Sequence, residues 1–106
     1  QPKDIKKKGD SVRYGDVVEV NYRIKLTDGT VLYDLTGRNA DVIEVGKERR
    51  QTGFAEGLTL LREGDRAIIV VPSILAYGAL GDRDKIPPRA TLVYDVIGVS
   101  KTGKNR

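Results

Sequence analysis

Between Asp16 and Leu26 apolar and polar residues alternate. Val18, Val20, Tyr22, Ile24 and Leu26 fall on one side, and Glu19, Asn21, Arg23 and Lys25 on the other. A period of two over that length predicts a half-buried β-strand. Thr27-Asp28-Gly29-Thr30 then supplies an Asp-Gly turn, so Val31, Leu32 and Tyr33 are predicted to return as its antiparallel partner. Gly37 and Asn39 mark a loop over residues 36–40, and a short strand at Asp41–Val45 stops at Gly46. Over Gly53–Leu61 the period changes, with Phe54, Leu58 and Leu61 at i, i+4 and i+7. This predicts a helix of about two turns, started by Thr52 and ended by Gly64. Gly57 costs that helix about 1 kcal/mol relative to Ala, so it reads as a position of close packing against a sheet. Arg66–Val71 is apolar after its first residue, the pattern of a central strand covered on both faces, and Pro72 ends it. Alternation resumes over Ala90–Val99, with Leu92, Tyr94 and Val96 on one face. One short helix among antiparallel strands predicts an α+β fold, a curved sheet wrapped over the helix.

Composition narrows what such a fold can do. A chain of 106 residues is one domain with room for a modest core. It holds neither cysteine nor histidine, which excludes thiol nucleophiles, histidine triads and the usual zinc ligand sets. Any chemistry rests on aromatic, hydroxyl, amide and carboxylate groups, and no metal or organic cofactor is expected. The net charge is +4, but Lys3, Lys6, Lys7 and Lys8 at one end and Lys101, Lys104 and Arg106 at the other carry it. Between those ends the body is close to neutral, which argues for solvated tails rather than a nucleic-acid footprint. Residues 1–14 therefore read as a polar arm, 15–100 as the folded domain and 101–106 as a basic tail. No apolar run approaches the roughly 20 residues of a membrane span. A start at Gln1 and polar ends fit a domain taken from a longer precursor.

Chemistry concentrates in two loops and the strand after them. Lys85-Ile86-Pro87-Pro88 fixes two φ angles and pushes Ile86 into an extended conformation, presenting its side chain at a defined angle. Ala76-Tyr77-Gly78 precedes it and Tyr94 follows. Tyr22 or Tyr94 alone would read as core, since aromatics on an apolar strand face usually pack. Together with Tyr77 and Phe54 they describe a concave aromatic pocket with a few polar tips, sized for a compact apolar group such as proline.

The order Asp28-Gly29-Thr30, Gly46-Lys47, Gly53-Phe54-Ala55-Glu56-Gly57-Leu58, Glu63-Gly64-Asp65, Ala76-Tyr77-Gly78, Ile86-Pro87-Pro88 and Ala90-Thr91-Leu92-Val93-Tyr94-Asp95-Val96 resembles the FKBP family of peptidyl-prolyl cis-trans isomerases. The resemblance covers about residues 15–99. It implies a five- to six-stranded curved antiparallel sheet around the short helix, and a proline pocket lined by Tyr22, Phe54, Tyr77, Ile86 and Tyr94. Phe54 would form its floor, Tyr22, Tyr94 and Ile86 its sides, and the Tyr77 hydroxyl and the backbone N–H of Gln51 would bind substrate carbonyls.

The family pattern Asp-Gly-x-x-Phe-Asp meets Asp28-Gly29-Thr30-Val31-Leu32-Tyr33-Asp34 here. Aligned without a gap, Leu32 replaces the pocket phenylalanine and Tyr33 the aspartate, and strand parity favours this version. A one-residue bulge would instead restore an aromatic-acid pair as Tyr33-Asp34, with Asp34 near the twisting amide. Arg50-Gln51 replaces an apolar pair before the helix, and Asp41 or Val42 stands where another aromatic is common. With Asp82 in the loop before Ile86, these changes predict a smaller, more polar rim and weak macrolide binding. The expected activity is prolyl isomerisation of flexible protein segments by a monomer, with no membrane contact by this chain. The competing readings are a catalytically weak proline-binding or chaperone module of the same fold, and a scaffold acting through its basic tails. A bacterial cell-envelope setting fits the resemblance and the polar ends.

Overall fold

The computed structural model describes residues 9–48 and 51–102. Strand β1 (Val17–Leu26) is the spine of a five-stranded sheet. Its inward positions Val18, Val20, Tyr22 and Ile24 are all buried, as the alternation predicts. On one edge β1 pairs along Val18–Leu26 with β5 (Leu92–Lys101). On its other edge two short strands lie end to end: β2 (Val31–Leu35) beside Tyr22–Lys25, and β3 (Asp41–Glu44) beside Val17–Val20. A single 3₁₀ turn at Gly37–Asn39 joins them, and the Asn21 Oδ1 of β1 accepts the Gly37 N–H at 2.7 Å. All pairings are antiparallel.

Helix α1 (Thr52–Leu58) lies against the sheet with Phe54 and Leu58 buried. It begins one residue earlier and ends sooner than the periodicity predicts. Thr52 is not its cap: that place belongs to Gln51, in the left-handed region at φ 57°. Gly57 is where the helix meets β4 (Ala67–Val71). A Cβ there would lie 2.8 Å from two carbons of the Ile69 side chain, so the missing side chain sets the helix-to-sheet distance.

One expectation about the strands fails. The run at 67–71 is an edge strand paired with β5 alone, and Ile68 and Val70 are 69% and 60% exposed rather than covered. The part of the polar arm that is described leads into the body. Val12 is 1% exposed, its N–H donates to the Leu61 carbonyl at 2.9 Å, and Ser11 bridges Arg62. Of the basic end residues only Lys101 is among the described ones, in an ion pair with Asp16 at 3.2 Å. Among the described residues, no helix is long and apolar enough to cross a membrane.

Candidate active site

Three rings from three elements meet under the helix. Phe54 of α1 stacks on Tyr94 of β5, centroids 4.3 Å apart and planes 14° from parallel. Tyr22 of β1 lies 4.7 Å from Phe54 and 5.9 Å from Tyr94. All three are 2% exposed or less. Buried phenols need partners, and each has one. Tyr22 donates to Asp41 Oδ2 at 2.8 Å, and Tyr94 donates to Gln51 Oε1 at 2.9 Å. Burial pushes both phenols well above the usual tyrosine range, and the neighbouring Asp41 carboxylate adds to the effect at Tyr22. Both are neutral hydroxyls wherever the protein is folded at ordinary pH.

Beside the rings is a small cavity of about 30 Å³, lined in part by Tyr22, Asp41, Gln51 and Phe54. That is room for about one water molecule. A larger groove of about 420 Å³ adjoins it, shares Asp41, Ile43, Glu44, Glu48 and Gln51 with it, and is bounded by Tyr77. The groove wall is polar, with Asp41, Glu44, Lys47 and Glu48 along it.

The site residues expected from sequence divide accordingly. Tyr22, Phe54 and Tyr94 are in mutual contact, Gln51 is bonded to Tyr94, and Tyr77 stands at the groove. Ile86 is 2% exposed and belongs to the same core cluster. The backbone N–H of Gln51 is not open to a substrate, because it donates to the Ala76 carbonyl at 3.3 Å. The other half of the predicted pair, Arg50, lies outside the described residues.

Asp34 is the clearest correction. The register of β1 and β2 steps from Ile24↔Tyr33 to Lys25↔Val31, leaving Leu32 as a bulged extra residue. The ungapped version favoured by strand parity is therefore wrong. The bulge puts Tyr33 and Leu35 on the inward face opposite Ile24 and Tyr22, while half-buried Leu32 packs against the core cluster. By the same step Asp34 turns outward opposite Arg23. There its carboxylate accepts from Arg23 Nε at 3.2 Å and the Thr36 hydroxyl at 2.6 Å, exposed and away from the rings. The Thr36 hydroxyl first, and Arg23 after it, hold that carboxyl below its ordinary value.

The acid beside Tyr22 is instead Asp41, which the sequence reading placed only as a substituted aromatic position. Register explains its approach: Asp41 pairs with Val20, an inward position next to Tyr22 in the alternation. A buried tyrosine whose strand neighbour begins with aspartate was the available signal.

The family description "FKBP-type peptidyl-prolyl cis-trans isomerase" matches residues 8–97 of this chain. Over 81 residues the chain is 43% identical to a probable FKBP-type peptidyl-prolyl cis-trans isomerase FkpA of Neisseria meningitidis, covering 76% of this chain and 29% of that one. It is 39% identical over 85 residues to the human peptidyl-prolyl cis-trans isomerase FKBP2, covering 79% and 60%. The crystal structure of FkpA from Escherichia coli superposes with a TM-score of 0.75 at 30% identity, over 91% of this chain and 45% of that one. The chain thus spans less than two thirds of each of these proteins.

Proposed function

Because this chain belongs to the FKBP-type peptidyl-prolyl cis-trans isomerase family, we propose that it accelerates rotation about X-Pro amides in flexible protein segments, in the groove that ends on Phe54 and Tyr22. The observation that carries this reading is the buried aromatic trio, of which Tyr22 and Phe54 line the small cavity that adjoins that groove, with both phenol oxygens fixed by side chains of the site.

Resonance opposes the rotation with a barrier of about 18–20 kcal/mol. The protein needs no nucleophile to lower it. An apolar wall strips water from the amide and disfavours its charge-separated form, while donors that meet the carbonyl only in the twisted geometry stabilise the transition state. Removing about 7 kcal/mol gives roughly five powers of ten. Phe54 supplies the apolar floor, Tyr22 and Tyr94 pack against it and against each other, and Tyr77 bounds the groove. Since the Gln51 backbone N–H is engaged, its side-chain amide takes the donor role: Oε1 is held by Tyr94, and the amide nitrogen retains two hydrogens for a substrate carbonyl. Asp41 fixes the Tyr22 hydroxyl.

Proline-containing protein segments are the substrates in this reading, and the polar groove wall around Asp41, Glu44 and Glu48 supports weak rather than tight macrolide binding. A bacterial cell-envelope setting stays part of the proposal, supported by the bacterial relatives. The test is cis-to-trans relaxation of short X-Pro peptides with wild type, Asp41→Ala and Asp34→Ala. Acceleration by wild type, reduced about 10-fold in Asp41→Ala and less than 2-fold in Asp34→Ala, is expected. No acceleration by folded wild type would leave the proline-binding module as the better reading, and equal losses in the two variants would refute the role given to Asp41.

A further inference from the structure

Tyr33 and Asp82 are 49 residues apart in sequence, yet the Tyr33 hydroxyl donates to Asp82 Oδ2. The other carboxylate oxygen accepts two backbone N–H groups, from Asp84 at 2.9 Å and Ile86 at 2.8 Å. The Asp82 N–H in turn donates to the Ile86 carbonyl at 3.1 Å. One side chain thus folds the 82–86 loop on itself and ties it to β2. The Lys85 ammonium adds a second link, 5.4 Å from the centre of the Tyr33 ring.

Such a loop needs holding. Arg83 and Arg89 both sit at positive φ, 63° and 58°, where residues with a Cβ are strained. At Gly81, also at positive φ, an added Cβ would lie 2.1 Å from the Ile86 carbonyl oxygen. The Leu32 bulge is part of the same device, since it gives Tyr33 the parity of the inward face. The Tyr33 phenol is pushed up to about 12 by its hydrogen bond to Asp82, with partial desolvation adding to it, so the donor stays protonated at neutral pH. For Asp82, desolvation pulls upward, but the Tyr33 hydroxyl and the loop N–H groups outweigh it and leave the carboxyl below its ordinary value.

We propose that Asp82 is a positioning residue of the isomerase site: through two loop N–H groups it fixes Ile86, which packs in the same buried cluster as Tyr22, Phe54 and Tyr94, and through the Tyr33 hydroxyl it sets the spacing between β2 and that loop. The inference rests on the isomerase reading above. Asp82 touches no reacting atom, so its loss acts on how substrate is seated. KM carries the effect and kcat stays nearly constant.

The experiment measures KM and kcat on peptides with Ala, Leu or Phe before proline, for wild type, Tyr33→Phe, Asp82→Ala, Asp82→Asn and the Tyr33→Phe/Asp82→Ala double variant. Amide hydrogen exchange at Ile86 is followed in parallel. Tyr33→Phe, which removes a single oxygen, is expected to raise KM 3- to 5-fold and Asp82→Ala about 10-fold, with kcat within 2-fold. The double variant should match Asp82→Ala alone, because both changes cut one tether. Asp82→Asn retains an acceptor for the loop N–H groups and should recover most of the loss, and Ile86 exchange should quicken in Asp82→Ala. Unchanged KM in folded, active variants, additive losses in the double variant, or unaltered Ile86 exchange would overturn the inference while leaving the isomerase reading intact. An inactive wild type would overturn both.

Discussion

Replacing Phe54 with alanine is expected to lower kcat/KM for X-Pro isomerisation by about 100-fold and to destabilise the fold by about 3–5 kcal/mol. Both effects have one source. The ring is 2% exposed and touches Tyr94 at 4.3 Å and Tyr22 at 4.7 Å, so its removal opens a cavity and takes away two aromatic contacts worth roughly 0.5–1.5 kcal/mol each beyond burial. A domain of this size has about 5–15 kcal/mol in hand, so the variant stays folded unless the wild type lies near the lower end of that range. Phe54→Leu separates the two effects. It keeps most of the apolar volume but loses the two aromatic contacts, and should cost roughly 1–3 kcal/mol of stability; it also lacks the flat face against which a proline ring packs. Activity in Phe54→Leu should therefore fall further than its stability implies. Denaturant unfolding beside the peptide assay checks this, and full activity in a folded Phe54→Ala would place the pocket elsewhere.

The sequence made those rings visible because they fall on regular periods. Tyr22 and Tyr94 lie on inward positions of long alternating strands, and Phe54 begins the i, i+4 pattern of the helix. Long periodic segments report a face, and a face locates side chains. The misses came where period is silent. A run such as Ala67-Ile68-Ile69-Val70-Val71 reads the same whether a second layer covers it or not, and here Ile68 and Val70 face solvent at the sheet edge. A bulge leaves the composition of a strand untouched while reversing its parity, so Tyr33 and Asp34 exchanged faces at Leu32 without any local sign. Partners far apart in sequence, Tyr22 with Asp41 by strand register and Tyr33 with Asp82 by the packing of a loop on β2, needed the three-dimensional pairing to be identified. The left-handed conformation of Gln51, which turns its N–H to Ala76 and its side chain to Tyr94, was equally beyond a pattern reading.

The same buried phenols predict how the fold fails in alkali. Tyr22 and Tyr94 have their pKa raised in the folded protein, by burial first, above the value of about 10 that an unfolded tyrosine shows. Below pH 10 both states hold the proton and pH has no leverage through these groups. Above it the unfolded chain gives up protons that the folded chain retains, so stability is lost as pH rises from the unfolded value toward the folded one. Each phenol then contributes a slope of about 1.4 kcal/mol per pH unit, and the pair removes about 5 kcal/mol by pH 12. That is comparable with the whole stability of a small domain. Urea midpoints measured between pH 8 and about pH 12 should stay level with respect to these groups to about pH 10 and then fall steeply, with phenolate absorbance from the two rings appearing together with unfolding. Tyr22→Phe and Tyr94→Phe should each remove about half of the slope that these two phenols contribute, with the raised Tyr33 phenol adding a share of its own, whatever stability each loses at neutral pH. Phenolate signal from both rings in a still-folded protein, or an alkaline slope unaltered in the two phenylalanine variants, would show that these hydroxyls are not sealed under the helix as the packing of Phe54 against Tyr94 requires.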